Sequence, residues 1–155
     1  METKTTTFPR ITKVWAKNFR SIKSLELELE PLTVLVGPNA SGKSNIVDVL
    51  RFVSDTVRSD LDSALNARRG DHAARRSYPR QRSTDITVGL VVTLEDSSVE
   101  YEFVARLYRD GRHRVMRETT RINLSGHADS DAWLIEIKEG RLVAPRRGRR
   151  PEFVT

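Results

Sequence analysis

The sequence predicts an α/β fold that combines a mixed sheet with an antiparallel β-subdomain. An apolar run at residues 32–36 leads directly into a glycine-rich segment at 37–44, and a segment with helical periodicity follows. An alternating Leu/Glu stretch, residues 24–30, precedes this unit, and several β-rich segments follow position 84. Strand, loop and helix in succession are typical of an α/β unit, whereas strands joined by short turns are typical of an antiparallel meander.

The N-terminal half is predicted to contain three strands and one helix. Residues 11–19 and 24–30 alternate between apolar and polar side chains, as half-buried strands do. Pro31 ends the second strand, and residues 32–36 are predicted to form a buried third strand. Apolar residues then recur every three or four positions, which predicts a helix over about residues 42–66 that packs on the sheet. The apolar stripe of this helix consists of Ile46, Val49, Leu50, Val53, Val57, Leu61, Ala64 and Leu65.

The C-terminal half is predicted to be an antiparallel meander in which polar or glycine-containing turns separate the strands. The predicted strands are 86–94, 99–108, 114–122, 133–138 and 141–143. In terms of domains, we expect a flexible N-terminus over residues 1–10, one lobe over 11–143 with an Arg-rich loop at about 68–84, and a basic tail at 144–155.

Composition narrows the classes of function. The 155 residues are enough for one domain, and the net charge of +6 favours partners that carry phosphate groups. The chain has no cysteine, which excludes disulfides, thiolate metal sites and cysteine nucleophiles. No apolar segment has the length of a membrane span, and the N-terminus lacks the apolar run of a signal peptide. We therefore expect a cytoplasmic protein with no membrane partner.

The glycine-rich segment is a complete phosphate-binding loop (P-loop, or Walker A motif). Its glycines allow successive backbone N–H groups to converge on phosphate oxygens, and the following helix offers the positive end of its dipole. Lys43 is expected to reach the β- and γ-phosphates of a nucleotide, and the Ser44 hydroxyl is expected to hold Mg²⁺. The loop residues are Gly37, Pro38, Asn39, Ala40, Ser41, Gly42, Lys43 and Ser44.

The residues of this loop and of the segment before it resemble those of a known family. The segment Asn18-Phe19-Arg20-Ser21-Ile22, then the Leu/Glu strand, then Leu35–Asn45 with its Asn39 and Asn45, is similar to the N-terminus of the RecF/SMC/OLD group of ABC-type ATPases, which are also described as AAA-family ATPases. The resemblance covers residues 10–67 and, more loosely, 84–143.

This resemblance implies the first lobe of a P-loop NTPase that takes ATP and Mg²⁺ as cofactors. It adds Asn45 and Arg20 to the nucleotide-binding residues, because Arg20 matches a basic residue that lies near the nucleotide in the family; a solvated turn residue is the alternative for Arg20. It also implies a homodimer. Relatives act on DNA in repair, chromosome organisation and phage defence, so nucleic acid is a further candidate partner.

The chain departs from the family in its later ATPase motifs. The family carries a signature loop, a strand that ends in Asp-Glu and a switch histidine. Here Glu95-Asp96 follows an apolar run, but the two acids are in reversed order and are predicted to lie in a hairpin turn. Residues 124–127 lack the second glycine of a signature loop. We therefore expect ATP binding by this chain, whereas hydrolysis requires a second lobe or a partner chain.

Other candidates carry weaker signals. Gln81 has only its position in favour of a nucleotide-sensing role. The three histidines lie in polar stretches and are predicted to be surface residues rather than metal ligands or switch residues. They are His72, His113 and His127.

Two alternatives to an ATPase lobe remain open at the level of sequence. One is a non-catalytic DNA-binding or regulatory module that retains the P-loop. The other is a small P-loop kinase, which the predicted β-meander disfavours. Two Arg-rich clusters, residues 68–82 and 141–150, are candidates for contact with nucleic-acid phosphates, and an ordinary solvated surface is the alternative for both.

Overall fold

A computed structural model describes residues 8–39, 41–67, 83–124 and 132–143. The predicted features of the N-terminal residues, the Arg-rich loop, the 125–131 segment and the basic tail lie outside these ranges. The described elements are strands β1 (Arg10–Phe19) and β2 (Ile22–Glu28), helices α1 (Lys43–Arg58) and α2 (Leu61–Asn66), and strands β3 (Ser83–Thr93), β4 (Ser97–Tyr108), β5 (His113–Leu124), β6 (Trp133–Lys138) and β7 (Arg141–Val143).

The described strands form one seven-stranded sheet in the order β2-β1-β3-β4-β5-β6-β7. Every pair in this sheet is antiparallel, so the predicted meander from β3 to β7 is confirmed. β1 lies between β2 and β3, with Val14 opposite Leu27 on one side and Leu90 on the other. β3, which pairs with β1, follows the glycine-rich loop and both helices in the sequence.

The hydrophobic core lies between one face of this sheet and the two helices. Inward-facing residues of the sheet meet the apolar faces of α1 and α2, and Phe52 lies at the centre. Its ring centroid is 5.3 Å from that of Phe19 and 6.3 Å from that of Phe103. The buried apolar residues are Val14, Ala16, Phe19, Val49, Phe52, Val53, Leu61, Ala64, Leu65, Ile86, Val88, Phe103, Ala105 and Leu107. Neither described helix has the length and apolar character of a membrane span.

The single long helix that the sequence predicts is two helices. α1 ends at Arg58, and the backbone leaves the helical conformation at Ser59. Asp60 then caps α2, because its side chain accepts a hydrogen bond of 2.7 Å from the Ser63 amide. An aspartate at this position satisfies a backbone donor that would otherwise lack a partner at the start of the new helix. The apolar spacing carries through the break, which is why periodicity alone did not reveal it.

The predicted buried strand at residues 32–36 is wrong for this structure. These residues form no strand, and Leu32, Val34 and Val36 are 83, 72 and 90% exposed. A fully buried strand needs a hydrogen-bonded neighbour on each side and a layer on each face. Within the described parts of the chain no strand pairs with residues 32–36, so the expected mixed sheet does not form.

A partly buried tyrosine on the core-facing side of β4 leads to a prediction about alkaline pH. The Tyr101 hydroxyl donates a hydrogen bond of 2.9 Å to Glu118 Oε1. Burial, and then this hydrogen bond, raise the pKa of Tyr101 above its ordinary value near 10. The folded protein therefore keeps this proton more tightly than the unfolded chain does, so the contribution to stability is complete below pH 10 and decreases as the pH rises above it.

We expect Tyr101→Phe to remove this part of the pH dependence. Urea unfolding of both proteins at pH 8, 10 and 11 should show a smaller fall in the free energy of unfolding for the variant. The other groups that titrate in this range are common to both proteins, so the difference between the two slopes isolates Tyr101. Equal slopes would mean that the Tyr101 hydroxyl titrates normally.

Candidate phosphate-binding site

The glycine-rich loop is a tight turn that leads directly into α1. The Ser41 amide lies 3.3 Å from the Pro38 carbonyl oxygen. Gly42 is the N-cap of α1 and has φ of +96°, a left-handed conformation that favours glycine. A β-carbon at Gly37 would lie 3.1 Å from Ser41 Oγ, so a side chain at that position would crowd the inside of the turn. Glycine is thus favoured at position 42 by the backbone conformation, and at position 37 by the Ser41 side chain that lies against it.

The side chain of Lys43 folds back over this loop. Its ammonium nitrogen donates to the carbonyl oxygens of Gly37 and Pro38, each at 2.6 Å, and lies 3.3 Å from Ser41 Oγ. These three acceptors match the three donors of an ammonium group. The loop therefore holds a positive charge at its own mouth, and a phosphate oxygen can replace the neutral carbonyl acceptors because hydrogen bonds between two charged groups are stronger.

The start of α1 adds further donors to the same site. Within the described residues, no side chain caps the helix at Gly42, although the amides of Asn45 and Ile46 bond to the Gly42 carbonyl oxygen. An uncapped helix N-terminus offers backbone N–H groups and a partial positive charge to an anion. The Ser44 side chain, in the first turn, belongs to an exposed residue and is available to a cation held by a bound phosphate.

The turn between β1 and β2 lies against the same end of α1. Asn18 and Arg20 both have left-handed backbones, with φ of +55° and +50°. Asn18 Nδ2 donates a 3.0 Å hydrogen bond to the Asp85 carbonyl oxygen, which fixes the turn to β3. Arg20 Nε lies 2.8 Å from Asp48 Oδ2, in an ion pair whose N–H direction is poorly aligned for a hydrogen bond.

The structure places Asn45 in the first turn of α1, directly after the loop, and pairs Arg20 with Asp48 in the second turn. Asn45 Nδ2 donates to Ser21 Oγ at 2.6 Å, which links the helix to the β1–β2 turn. The Nε atom of Arg20 is buried, whereas its side chain as a whole is 32% exposed, so both readings of this residue stay predictions. Ala40 lies outside the described residues. The remaining predicted loop residues, Gly37, Pro38, Asn39, Ser41, Gly42, Lys43 and Ser44, form the turn and the first residues of α1.

Sequence reasoning missed two residues at this site. Asp48 lies outside the apolar stripe of the predicted helix, and Ser21 stands only within the segment that resembles the family. Asp48 follows Asn45 by three positions, so the two share one helix face. That spacing places Asp48 on the same side of the helix as Asn45, but it does not show that Arg20 pairs with Asp48.

The candidate carboxylates for hydrolysis lie far from the loop. Glu95 and Asp96 are exposed in the hairpin turn between β3 and β4, where Leu94 N donates to Ser97 O at 2.8 Å. The hairpin end of β3 pairs with the beginning of β1, since Thr93 is opposite Arg10, whereas the phosphate-binding loop lies at the other end of β1. Ten residues of strand separate the two ends, which is about 30 Å. These acids therefore do not form a Walker B pair with this loop.

The remaining candidates do not reach the site either. His113 Nε2 lies 2.8 Å from Asp62 Oδ1, so it joins β5 to α2 rather than facing the phosphate-binding loop. His72, His127, Gln81 and the 125–127 part of the predicted signature loop lie outside the described residues. Among the residues that are described, no group of three or more His, Asp or Glu side chains could hold a metal ion.

Comparison with known proteins gives one family and several partial relatives. The family described as an AAA ATPase domain matches residues 10–139. The chain is 41% identical to the chromosome partition protein Smc of Methanocaldococcus jannaschii, over 41% of this chain and 6% of that protein. It is 37% identical to the DNA replication and repair protein RecF of Corynebacterium jeikeium, over 41% of this chain and 16% of that protein. It is 38% identical to the OLD nuclease of Thermus scotoductus, over 34% of this chain and 10% of that protein. The chain thus spans less than a fifth of the length of each of these relatives.

Proposed function

Since this chain belongs to the AAA ATPase domain family, as the N-terminal lobe of a RecF/SMC/OLD-like ATPase, we propose that residues 37–45 bind Mg-ATP. The observation that carries this proposal is the position of Lys43, whose ammonium group is held over the mouth of a glycine-built turn at the N-terminus of a sixteen-residue helix. An oriented ammonium, converging backbone amides and a helix dipole are together suited to a polyphosphate.

The described residues also fit a magnesium ion that arrives with the nucleotide. Mg²⁺ keeps several waters and is usually held by few protein ligands together with substrate phosphates. One hydroxyl, that of Ser44, in the first turn of α1, meets this requirement without a preformed carboxylate cluster. When bound, the ion would neutralise charge on the β- and γ-phosphates. Lys43 and the loop amides bind and orient the same phosphates.

We propose that hydrolysis needs groups from a second lobe or a partner chain. Activation of the attacking water requires a positioned acceptor, and the candidate pair, Glu95 and Asp96, lies at the other end of β1 from the loop. The exposed apolar side chains of Leu32, Val34 and Val36 support a second lobe, because this alternation is the pattern of a strand that lacks its neighbours. Residues 32–36 would then become the buried strand that the sequence predicts, next to the phosphate-binding loop.

The names of the relatives support a proposal about partners. Two of these relatives are named for chromosome partition and for DNA replication and repair, so we propose nucleic acid as a partner and a homodimer as the working assembly. The excess of six positive charges is consistent with contact to phosphates. A regulatory module that binds nucleotide without hydrolysing it is the second candidate, and the distance of Glu95 and Asp96 from the loop favours it for the isolated chain.

Ligand-dependent thermal unfolding tests the proposed binding. A ligand at about 100 times its Kd stabilises the folded state by about 2.7 kcal/mol, which corresponds to a rise in Tm of about 5–10 °C for a chain of this size. We expect such a rise with Mg-ATP and with Mg-ADP, and a much smaller one with adenosine, because the phosphates carry the interaction. An equal rise with adenosine would contradict a phosphate-binding loop, and no rise with any nucleotide would contradict the function.

The unpaired segment leads to a second prediction for the isolated chain. Val34→Thr should change the free energy of unfolding by less than about 0.5 kcal/mol, since Val34 is 72% exposed. Val14→Thr is the matched control and should cost about 1–3 kcal/mol, since Val14 is fully buried in β1 and the hydroxyl would lack a partner. Urea unfolding compares the two variants. Equal losses would show that residues 32–36 are packed in the isolated lobe.

A further inference from the structure

A β-bulge places two arginines of β5 on the same face of the sheet. The pairing of β4 with β5 shifts by one residue after Val104, and the extra residue of β5 is Met116. In a regular strand Arg114 and Arg117 would face opposite sides, because they are three positions apart. With the bulge between them, they lie opposite Arg106 and Val104, which alternate in β4 with buried residues. Both arginines therefore lie on the face away from the helices.

Two further cations continue this face to the edge of the sheet. Lys138 of β6 lies opposite Arg117, and Arg141 of β7 lies opposite Lys138. In the tight turn between β6 and β7, the Glu139 amide donates to the Met116 carbonyl oxygen at 3.2 Å, which ties the turn to the bulge. Together with Met116 and Glu139, four cations line a cleft of about 640 Å³, which we name the basic cleft. These cations are Arg114, Arg117, Lys138 and Arg141.

Three cations of the basic cleft lie directly opposite one another. Arg117, Lys138 and Arg141 form one row across adjacent strands, which are about 4.8 Å apart. Like charges in such positions destabilise a sheet. Lys138 Nζ lies 3.1 Å from Glu136 Oε1, whereas Arg141 has no ion pair with any carboxylate in the described part of the chain. An arrangement that costs stability in the free protein is typical of a functional site.

The two arginines of β5 are held only by single contacts. Arg114 Nη2 donates to Glu139 at 3.1 Å, and Arg117 Nη2 donates to Glu102 at 2.5 Å. By contrast, Arg106 gives two nitrogens to one carboxylate, at 2.7 and 2.8 Å. The side chains of Arg114 and Arg117 are 53 and 45% exposed, and ion pairs at such sites contribute little to stability. Each guanidinium thus keeps N–H donors for a more highly charged anion.

The size and charge of the basic cleft fit a small ligand with several negative charges. Four cations face one lining carboxylate, and the planar fork of arginine is well suited to phosphate oxygens. The volume lies within the range of small-molecule sites, which is about 300–1,000 Å³. The row of cations spans two strand spacings, about 10 Å, whereas a nucleic-acid backbone offers its charges over a much greater length.

We propose that the basic cleft binds a small molecule that carries linked phosphate groups, at a site separate from the P-loop. α1, which follows the P-loop, packs on the other face of the sheet. In addition, β6 is four strands from β1, which is about 19 Å. One ligand therefore does not occupy both sites, and binding at the cleft does not depend on the proposed binding of Mg-ATP.

Calorimetric titration of Lys43→Ala with inorganic tripolyphosphate tests this site, because the P-loop of that variant lacks its lysine. Mg²⁺ is left out, since the ion would neutralise the charge that the cations recognise. We expect one tripolyphosphate per chain and much weaker binding of orthophosphate. A second substitution, Arg141→Gln or Lys138→Gln, should weaken binding about 10-fold to 100-fold, as loss of a hydrogen bond to a charged group does.

Lys17→Gln is the matched control in the same background. Lys17 is an exposed cation on the same face of the sheet, but it lies in β1, so its loss should leave the affinity unchanged. Equal losses in the Lys17 and Arg141 variants would mean that net charge alone attracts the anion, and would overturn the proposal. No heat of binding up to millimolar tripolyphosphate would also overturn it. Tighter, Arg141-dependent binding of a short DNA duplex would assign the cleft to nucleic acid instead.

Arg141→Glu separates loss of the ligand from loss of the fold. This substitution places a carboxylate opposite Lys138, so we expect the Tm of the free protein to rise while the affinity for tripolyphosphate is lost. A lower Tm would show that Arg141 stabilises the sheet, and the row of cations would then be structural rather than a binding site.

Discussion

Replacing Lys43 by alanine is expected to weaken Mg-ATP binding by at least about 100-fold. In the structure the Lys43 ammonium has three oxygen acceptors on its own loop, and phosphate oxygens are charged acceptors for the same donors. Each hydrogen bond to a charged group contributes about 1.5–3 kcal/mol, so loss of two of them exceeds two decades in Kd.

The same variant should fold as the wild type does. The Gly37 and Pro38 carbonyl oxygens belong to exposed residues, so water can replace the ammonium, and we expect the free energy of unfolding to change by less than about 1 kcal/mol. Lys23→Ala, at an exposed lysine of β2, is the control for loss of one positive charge. Equal affinities in the Lys43 and Lys23 variants would remove Lys43 from the site.

Replacing Phe52 by alanine is expected to destabilise the fold by about 3–5 kcal/mol. The side chain is fully buried, and its ring lies between those of Phe19 and Phe103. Alanine would leave a cavity between α1 and the sheet, at the place where the β1–β2 turn is anchored. Since the free energy of unfolding of native domains is only about 5–15 kcal/mol, this single substitution would remove a large part of it.

Urea unfolding measures this loss, with Val57→Ala as the control in the same helix. Val57 is 63% exposed, so its truncation should cost less than about 0.5 kcal/mol. A loss below 1 kcal/mol at Phe52 would contradict the packing of α1 on the sheet. A large loss accompanied by weaker nucleotide binding would indicate that the anchor of the turn also supports the phosphate-binding loop.

Local signals predicted the regular elements well. The predicted ends of strands β1 to β7 lie within three residues of those in the structure, because alternation and turn residues depend on neighbours in sequence. The helical stripe was identified as well, except that it omitted Phe52, which is fully buried, and included Val57, which is exposed. An apolar spacing defines a helix face but does not fix which residues at its edges the sheet covers.

The errors of the sequence prediction concern long-range interactions. Residues 32–36 have the composition of a buried strand, but a strand forms only where another strand pairs with it, and composition does not show whether one is present. The break at Ser59 was hidden because the apolar spacing continues through it, although Asp60 is a good helix cap.

The candidate site likewise contains a local motif, which the sequence predicts, and a long-range contact, which it does not predict. The proposed phosphate-binding loop could be predicted from the sequence because its motif consists of eight consecutive residues. The Arg20–Asp48 pair could not, because its members are 28 positions apart and meet only when the β1–β2 turn packs on α1. A charge on a helix surface is usually solvated, and only the tertiary contact shows that Asp48 is mostly buried.

Isothermal titration of the chain with Mg-ATP, with phosphate release followed in the same sample, tests the central claim most directly. The structure predicts one nucleotide bound per chain, binding that is lost in Lys43→Ala, and phosphate release no faster than in that variant. Binding that persists in Lys43→Ala, or no heat of binding up to millimolar Mg-ATP, would contradict an ATP-binding lobe built on residues 37–45.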